Sequence, residues 1–187
     1  MKQPFLSLFI HHALVLTIIF GTIYAIVQQN YRMSANDPQI QIAEDAVNDI
    51  IKQGISFRTL VGTTTKDIGE TIAPFMVIYD DEERALAWSG TIDGKPPVLP
   101  DGVLDYTREY GENRITWQPY SKVYGDIRIA AIIEHYEKGN EEGFVLVGRS
   151  LREIEEREYQ LMLFVSAGWI LSLSIDVFSI WIRRKTM

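Results

Sequence analysis

Two groups of residues in this chain have types and spacing that could do chemistry. The first sits on segments of strand character: Tyr79, Trp88, Arg114, Trp117, Arg128 and Tyr136 are the large or cationic side chains there. Small-ligand pockets are mostly apolar with a few placed polar groups, and an arginine holds a carboxylate through paired hydrogen bonds. Arg128 alternates with Ala130 and Ile132, on the face opposite Ile127, Ile129 and Ile133. It could point into a pocket and anchor a carboxylate there. The competing reading makes Trp88 and Trp117 core residues and Arg114 and Arg128 solvent-facing salt-bridge partners. For any single residue, that second reading is the expectation.

The second group is His11, His12 and Asp176, set in two long apolar runs. At 1.5 Å per residue, the histidines lie about 9–10 Å from the start of the first run and Asp176 about 9 Å from the end of the second. Runs of opposite direction bring all three to the same depth. A carboxylate at the centre of a membrane costs roughly 2.5–3.5 kcal/mol and usually finds a partner. Gly168, Ser172, Asp176 and Ser179 fall within about 80° on a helical wheel, and such small residues permit close helix packing. The expectation is that this stripe faces the first helix with Asp176 bonded to His11 or His12. The competing reading has these groups reach the headgroups through local water.

Elsewhere the chemistry thins out. His135 is the only histidine outside the apolar runs, and nothing near it completes a nucleophile–histidine–acid constellation. It ends the strand face Ile127, Ile129, Ala131, Ile133 and reads as a satisfied or edge histidine. Asp80, Asp81, Glu82 and Glu83 offer the oxygen ligands hard cations prefer, but without the spacing of a cage, so they read as a solvated hairpin tip. No catalytic residue, metal or cofactor is expected, and the chain is not expected to be an enzyme. With no cysteine, disulfides and thiolate metal sites are excluded. A net charge of −7 without a basic, aromatic-rich patch argues against nucleic acid.

The elements that position these groups follow from periodicity. Phe5 to Val27 is apolar throughout, longer than the ~7–15 residues of a signal-peptide core and without a small-residue cleavage site. It reads as an uncleaved anchor helix. Ser150 and Glu153 form a capping box, from which one helix is expected over Leu151–Ile182, its apolar part running from Leu161. That apolar part covers about 33 Å, enough for a hydrocarbon core of ~30 Å. Tyr24, Tyr31, Tyr159 and Trp181 stand where interfacial aromatics belong. Lys2, Arg183, Arg184 and Lys185 mark both ends as the inner side, because a long intervening loop counts little in the positive-inside rule. The expected organisation is a cytoplasmic segment 1–4, a span 5–27, an extracytoplasmic domain 28–158, a span 159–182 and a cytoplasmic tail 183–187. The chain is thus placed in a bacterial inner membrane, with the bilayer as its first partner.

Between the runs, Asp37-Pro38 caps a helix carrying Ile40, Ala43, Val47 and Ile50 and stopped by Gly54. A break is expected at Ser34 to Asp37, and residues 55–72 read as short helix and loop. PFMVIYD, an acidic turn and RALAWSG read as a hairpin over 75–89. DGKPPVLPDG cannot be regular structure. DGVLDYTREYG reads as a helix capped by Asp101 and stopped by Gly111. RITWQP, IRIAAIIEHY and GFVLVGRS are three further strands, joined by the loops PYSKVYGD and EKGNEEG. The fold class is α+β, with a five-stranded antiparallel sheet and a long N-terminal helix, flanked by two transmembrane helices.

That order resembles the extracytoplasmic PAS-like sensor domains called Cache or PDC domains, found in bacterial two-pass receptors and sensor histidine kinases. The segments that carry the resemblance are PFMVIYDDEERALAWSG, DGKPPVLPDGVLDYTREYGENRITWQP, RIAAIIEHY and GFVLVGRSLREIEERE, together covering roughly residues 37–158. It implies the N-terminal helix on one sheet face, a small-ligand pocket near the other, and a last strand leading into the second span. The receptors continue into a kinase or cyclase, whereas only RRKTM follows here, so no output domain is expected. The functional expectation is ligand sensing, with a small organic ligand and output through an unknown protein partner or homodimer. The alternative is a membrane scaffold or accessory subunit that binds a protein and no small ligand, a receptor that lost its kinase among them.

Overall fold

The computed structural model describes residues 5–34 and 37–186. The segment 1–4, residues 35–36 of the expected break and Met187 lie outside the described residues. The chain divides into two compact units, Met33–Ile154 and a helical unit of Met1–Arg32 with Glu155–Met187.

α1 (Phe5–Ser34) precedes α2 (Asp37–Asn48), the first element that lies wholly within the unit Met33–Ile154. Ala43, Ala46 and Ile50 recur at helical spacing and are fully buried. A π turn over Asp49–Gln53 follows, and Gly54 at φ 64° closes it by donating its N–H to the Asp49 carbonyl. That left-handed conformation is why a glycine stands there. α3 (Phe57–Val61) and β1 (Lys66–Asp67) occupy the segment read as short helix and loop. Next come β2 (Phe75–Asp80), β3 (Ala85–Trp88), β4 (Gly90–Thr91), α4 (Val103–Tyr110), β5 (Glu112–Trp117), β6 (Tyr120–Ser121), β7 (Gly125–Asp126), β8 (Ile129–Lys138) and β9 (Glu141–Ser150). α5 (Arg152–Thr186) starts two residues after β9 ends.

Five strands form one antiparallel sheet in the order β3-β2-β9-β8-β5. The fold is therefore α+β, as the periodicity implies. β2 is buried on both faces, and so is β9 along its middle, which is why their sequences are unbroken apolar runs and show no alternation. β5, at the edge, alternates exposed and half-buried residues. One sheet face packs Met76, Ile78, Ile132, Tyr136, Val145 and Val147 against Ala43, Ile50 and Val61 of the helices. The other packs Phe75, Val77, Tyr79, Ile133, Phe144 and Leu146 under Leu104 of α4, Ile68 and Ile92.

Three details differ from the sequence reading. α4 starts behind Gly102 at φ 77°, with no side chain capping it, so Asp101 is not its cap. PYSKVYGD, read as a loop, carries the small β6–β7 hairpin. The loop EKGNEEG contracts to Gly139-Asn140, because β8 and β9 extend until Glu137 pairs Glu142 and Lys138 pairs Glu141. Gly139 at φ 64° stands at the first position of a two-residue hairpin turn. The charged residues of the strand ends looked like loop composition, yet Lys138 opposite Glu141 is a favourable cross-strand pair.

Gly143 shows how tight the sheet is. A Cβ there would meet the Tyr79 carbonyl oxygen at 2.4 Å and the Tyr136 hydroxyl at 2.7 Å. Gly143→Ala is expected to destabilise the fold by about 1–3 kcal/mol, read as a lower urea midpoint for the full chain in detergent.

Candidate functional site

The segment between Asp93 and Asp101 has few backbone donors, because prolines hold positions 96, 97 and 100. Its carbonyls need donors from elsewhere. Two of the sequence-nominated aromatics supply them. Trp117 Nε1 donates to the Val98 carbonyl at 3.0 Å, and the Tyr79 hydroxyl to the Pro97 carbonyl at 3.4 Å. Burial pushes the Tyr79 hydroxyl well above its ordinary range, so it stays a donor. Trp88 packs, half-buried, against the same core. The proline strap thus lies over the sheet face opposite α2.

Two clefts border this strap. One, of about 300 Å³, is lined by Tyr79, Ala85, Pro97, Val98, Leu99 and Leu104 among others. The second, of about 410 Å³, is lined by Ile92, Pro97, Pro119 and Tyr120, with Lys95 and Lys122 as its cations. Asp93 also lines it, but its carboxylate is taken up by the Lys122 N–H at 2.9 Å and the Ser121 hydroxyl at 2.8 Å. Those bonds hold Asp93 below the usual carboxylate range. Two lysines against one carboxylate leave the wall of this cleft with a formal excess of one positive charge. Neither of them was nominated from the sequence; a Lys-Pro-Pro next to a strand gives little signal without the fold.

The other nominated residues stand elsewhere. Tyr136 is buried on the α2 face against Phe57, ring centroids 6.2 Å apart, and burial pushes its hydroxyl up to about 12. Arg114 pairs with Glu112 at 2.6 Å. Arg128 is exposed in the link before β8, lines neither cleft, and accepts the Leu151 N–H on its carbonyl at 2.9 Å. At the acidic turn, Arg84 Nε donates to Asp80 at 2.7 Å and Nη2 contacts Glu82. Burial alone would raise Asp80, but the backbone and side-chain bonds from Arg84 outweigh it and hold the carboxyl low.

The start of α5 is fastened to the domain. Arg152 donates to the Gly69 carbonyl at 2.6 Å and the Glu70 carbonyl at 3.0 Å, and Arg149 to Glu153 at 3.0 Å. Ser150 Oγ accepts the Arg152 N–H at 3.4 Å.

In the helical unit, α1 and α5 are each long and apolar enough to cross a membrane. His12 Nδ1 lies 2.7 Å from Asp176 Oδ1, and the Asp176 side chain is 15% exposed. His11 stands beside His12, ring centroids 6.4 Å apart, and is itself exposed. Trp169 Nε1 donates to Thr17 Oγ at 3.1 Å. A Cβ on Gly168 would sit 3.0 Å from the Phe20 ring, so the helices meet closely there. Ser172 is half-buried and donates to the Gly168 carbonyl at 2.8 Å, while Ser179 is exposed and off this face. Arg32 pairs with Glu158 at 3.1 Å.

No protein-family model matches the chain, and no curated protein matches it. Among solved structures it is similar to the PAS domain from Bordetella pertussis BvgS, at 17% identity, over 64% of this chain and 98% of that chain, with a TM-score of 0.33. Function is read from sites and not from such a likeness.

A further titratable group sits on the α2 face. Burial first, then the neighbouring carboxylates Glu44 and Glu112, push Glu134 from 4.5 up to about 7. Below pH 4.5 both folded and unfolded chains hold this proton; between 4.5 and about 7 only the folded chain does. Raising pH through that window therefore withdraws stability. Melting temperature is expected to fall over that window in the full chain, and Glu134→Gln to flatten the fall.

Proposed function

We propose that this is a two-pass protein of the bacterial inner membrane, with the domain on the outer side as a PAS-like sensor and with output through a partner protein. Two helices of membrane length support the two spans. A five-stranded antiparallel sheet with α2 on one face and clefts on the other supports the sensory reading. The observation that carries it is the cleft under the proline strap, of about 410 Å³ with Lys95 and Lys122 on its wall. That volume suits a small molecule, and a formal excess of one positive charge on its wall suits an organic anion. Ligand binding favours one arrangement of the strap and sheet, and the rigid start of α5, pinned by Arg152, passes the difference into the membrane by population shift.

A second reading has its own support. Val98, Tyr120 and Val123 are 80%, 71% and 72% exposed. Apolar groups so placed fit an interaction protein whose domain takes up a protein in place of a small ligand.

A thermal-shift screen of the full chain in detergent against small organic acids separates the two. An anion at 100 times its dissociation constant is expected to stabilise the fold by about 2.7 kcal/mol, and the shift should vanish with Lys95→Gln and Lys122→Gln. A folded protein silent to the whole library moves the function to the protein-partner reading.

A further inference from the structure

The contracted hairpin turn has a chemical result. His135 and Glu137 are two apart on β8 and share a face, and Glu142 of β9 stands directly opposite Glu137. One ligand atom of each lies within 4.8 Å of the other two. His135 is held by its backbone N–H on the Gly111 carbonyl at 2.9 Å and by the Phe144 ring, centroids 5.3 Å apart. Its side chain is only 11% exposed, and Nε2 lies 3.6 Å from Glu142 Oε1. That is too long for a hydrogen bond. Nε2 is buried and has no hydrogen-bond partner among the described residues. A buried polar atom in that state points to an ion or water it is built to meet.

Arg108 is the group already present. Its Nε donates to Glu142 Oε1 at 3.0 Å, its Nη2 to the Asp81 carbonyl at 2.9 Å, and its guanidinium lies 5.1 Å over the Phe144 ring. It neutralises Glu142 and leaves His135 Nε2 unanswered. The acidic turn differs: Arg84 reaches both Asp80 and Glu82, and no buried atom there lacks a partner among the described residues.

We propose that His135, Glu137 and Glu142 bind a divalent first-row transition cation, with Arg108 as a built-in competitor for Glu142. One imidazole nitrogen beside two carboxylates suits zinc, nickel or cobalt, whereas calcium and magnesium take oxygen alone. Three protein ligands leave coordination positions open to water or a further ligand. Metal entry draws Glu142 from Arg108 and so frees the α4 side chain that also holds the Asp81 carbonyl. This site depends on neither the strap cleft nor the membrane topology.

The test uses tag-free, metal-stripped full chain in detergent, titrated with Co²⁺ alone and followed by its visible bands, then competed with Zn²⁺. One saturable Co²⁺ site displaced by Zn²⁺ is expected. His135→Ala and Glu142→Gln should lose the bands with the circular dichroism unchanged, while Asp81→Asn keeps them. Arg108→Met should tighten binding, which a merely adventitious histidine contact would not show. If His135→Ala fails to fold, the exposed Glu137→Gln carries the same expectation. Bands that persist without His135, absence of bands in the folded native chain, or weaker binding in Arg108→Met would overturn the proposal.

Discussion

Every layer of the domain is referenced to the ten-rung antiparallel pairing of β8 with β9, from Ile129 opposite Ser150 to Lys138 opposite Glu141. It puts β9 at the centre of the sheet, so Val145 and Val147 face one core while Phe144 and Leu146 face the other. Because side chains alternate across a strand, a slip of one residue would exchange the two cores. Gly143 and Gly148 in β9 hold the register: a Cβ on the second would meet the Phe75 ring at 2.8 Å. The same pairing ends at Ser150, two residues before the start of α5, whose first turn is fastened through Arg152 to the backbone at Gly69 and Glu70.

Much of this is visible in the sequence because apolar periodicity reports burial. FMVIY and FVLV are continuous apolar runs, and both became doubly buried strands. Gly54 and Gly111 stop helices where the chain needs a conformation only glycine adopts easily. The failures are also physical. A capping aspartate read at Asp101 gave way to Gly102, since the strap enters α4 with a positive φ. The EKGNEEG segment looked like loop because its residues are charged, yet a Gly-Asn pair between alternating flanks is itself a hairpin signal. Reading it so would have brought His135, Glu137 and Glu142 together. The strap cleft is less legible: the sequence marks Tyr79 and Trp117 as candidate ligand contacts but gives no sign that their donors also hold proline-segment carbonyls. Only the fold brings Lys95 and Lys122 to one cleft.

The helical unit repeats the logic with polar groups in apolar surroundings. Between Leu161 and Ile182 Asp176 is the only charged residue, and it meets His12 across the helix pair. Trp169 and Thr17 make a second polar link two turns away. Polar links of this kind fix the rotation of each helix more sharply than apolar packing alone.

The sensor reading requires two membrane spans with the domain between them outside. The chain has no cysteine, so a single introduced one reports position without background. In intact cells, a membrane-impermeant maleimide should label Val98→Cys on the strap and leave Lys185→Cys unlabelled until the membrane is opened. Labelling of Lys185→Cys in intact cells, or protection of Val98→Cys, would contradict the topology and with it the sensor reading.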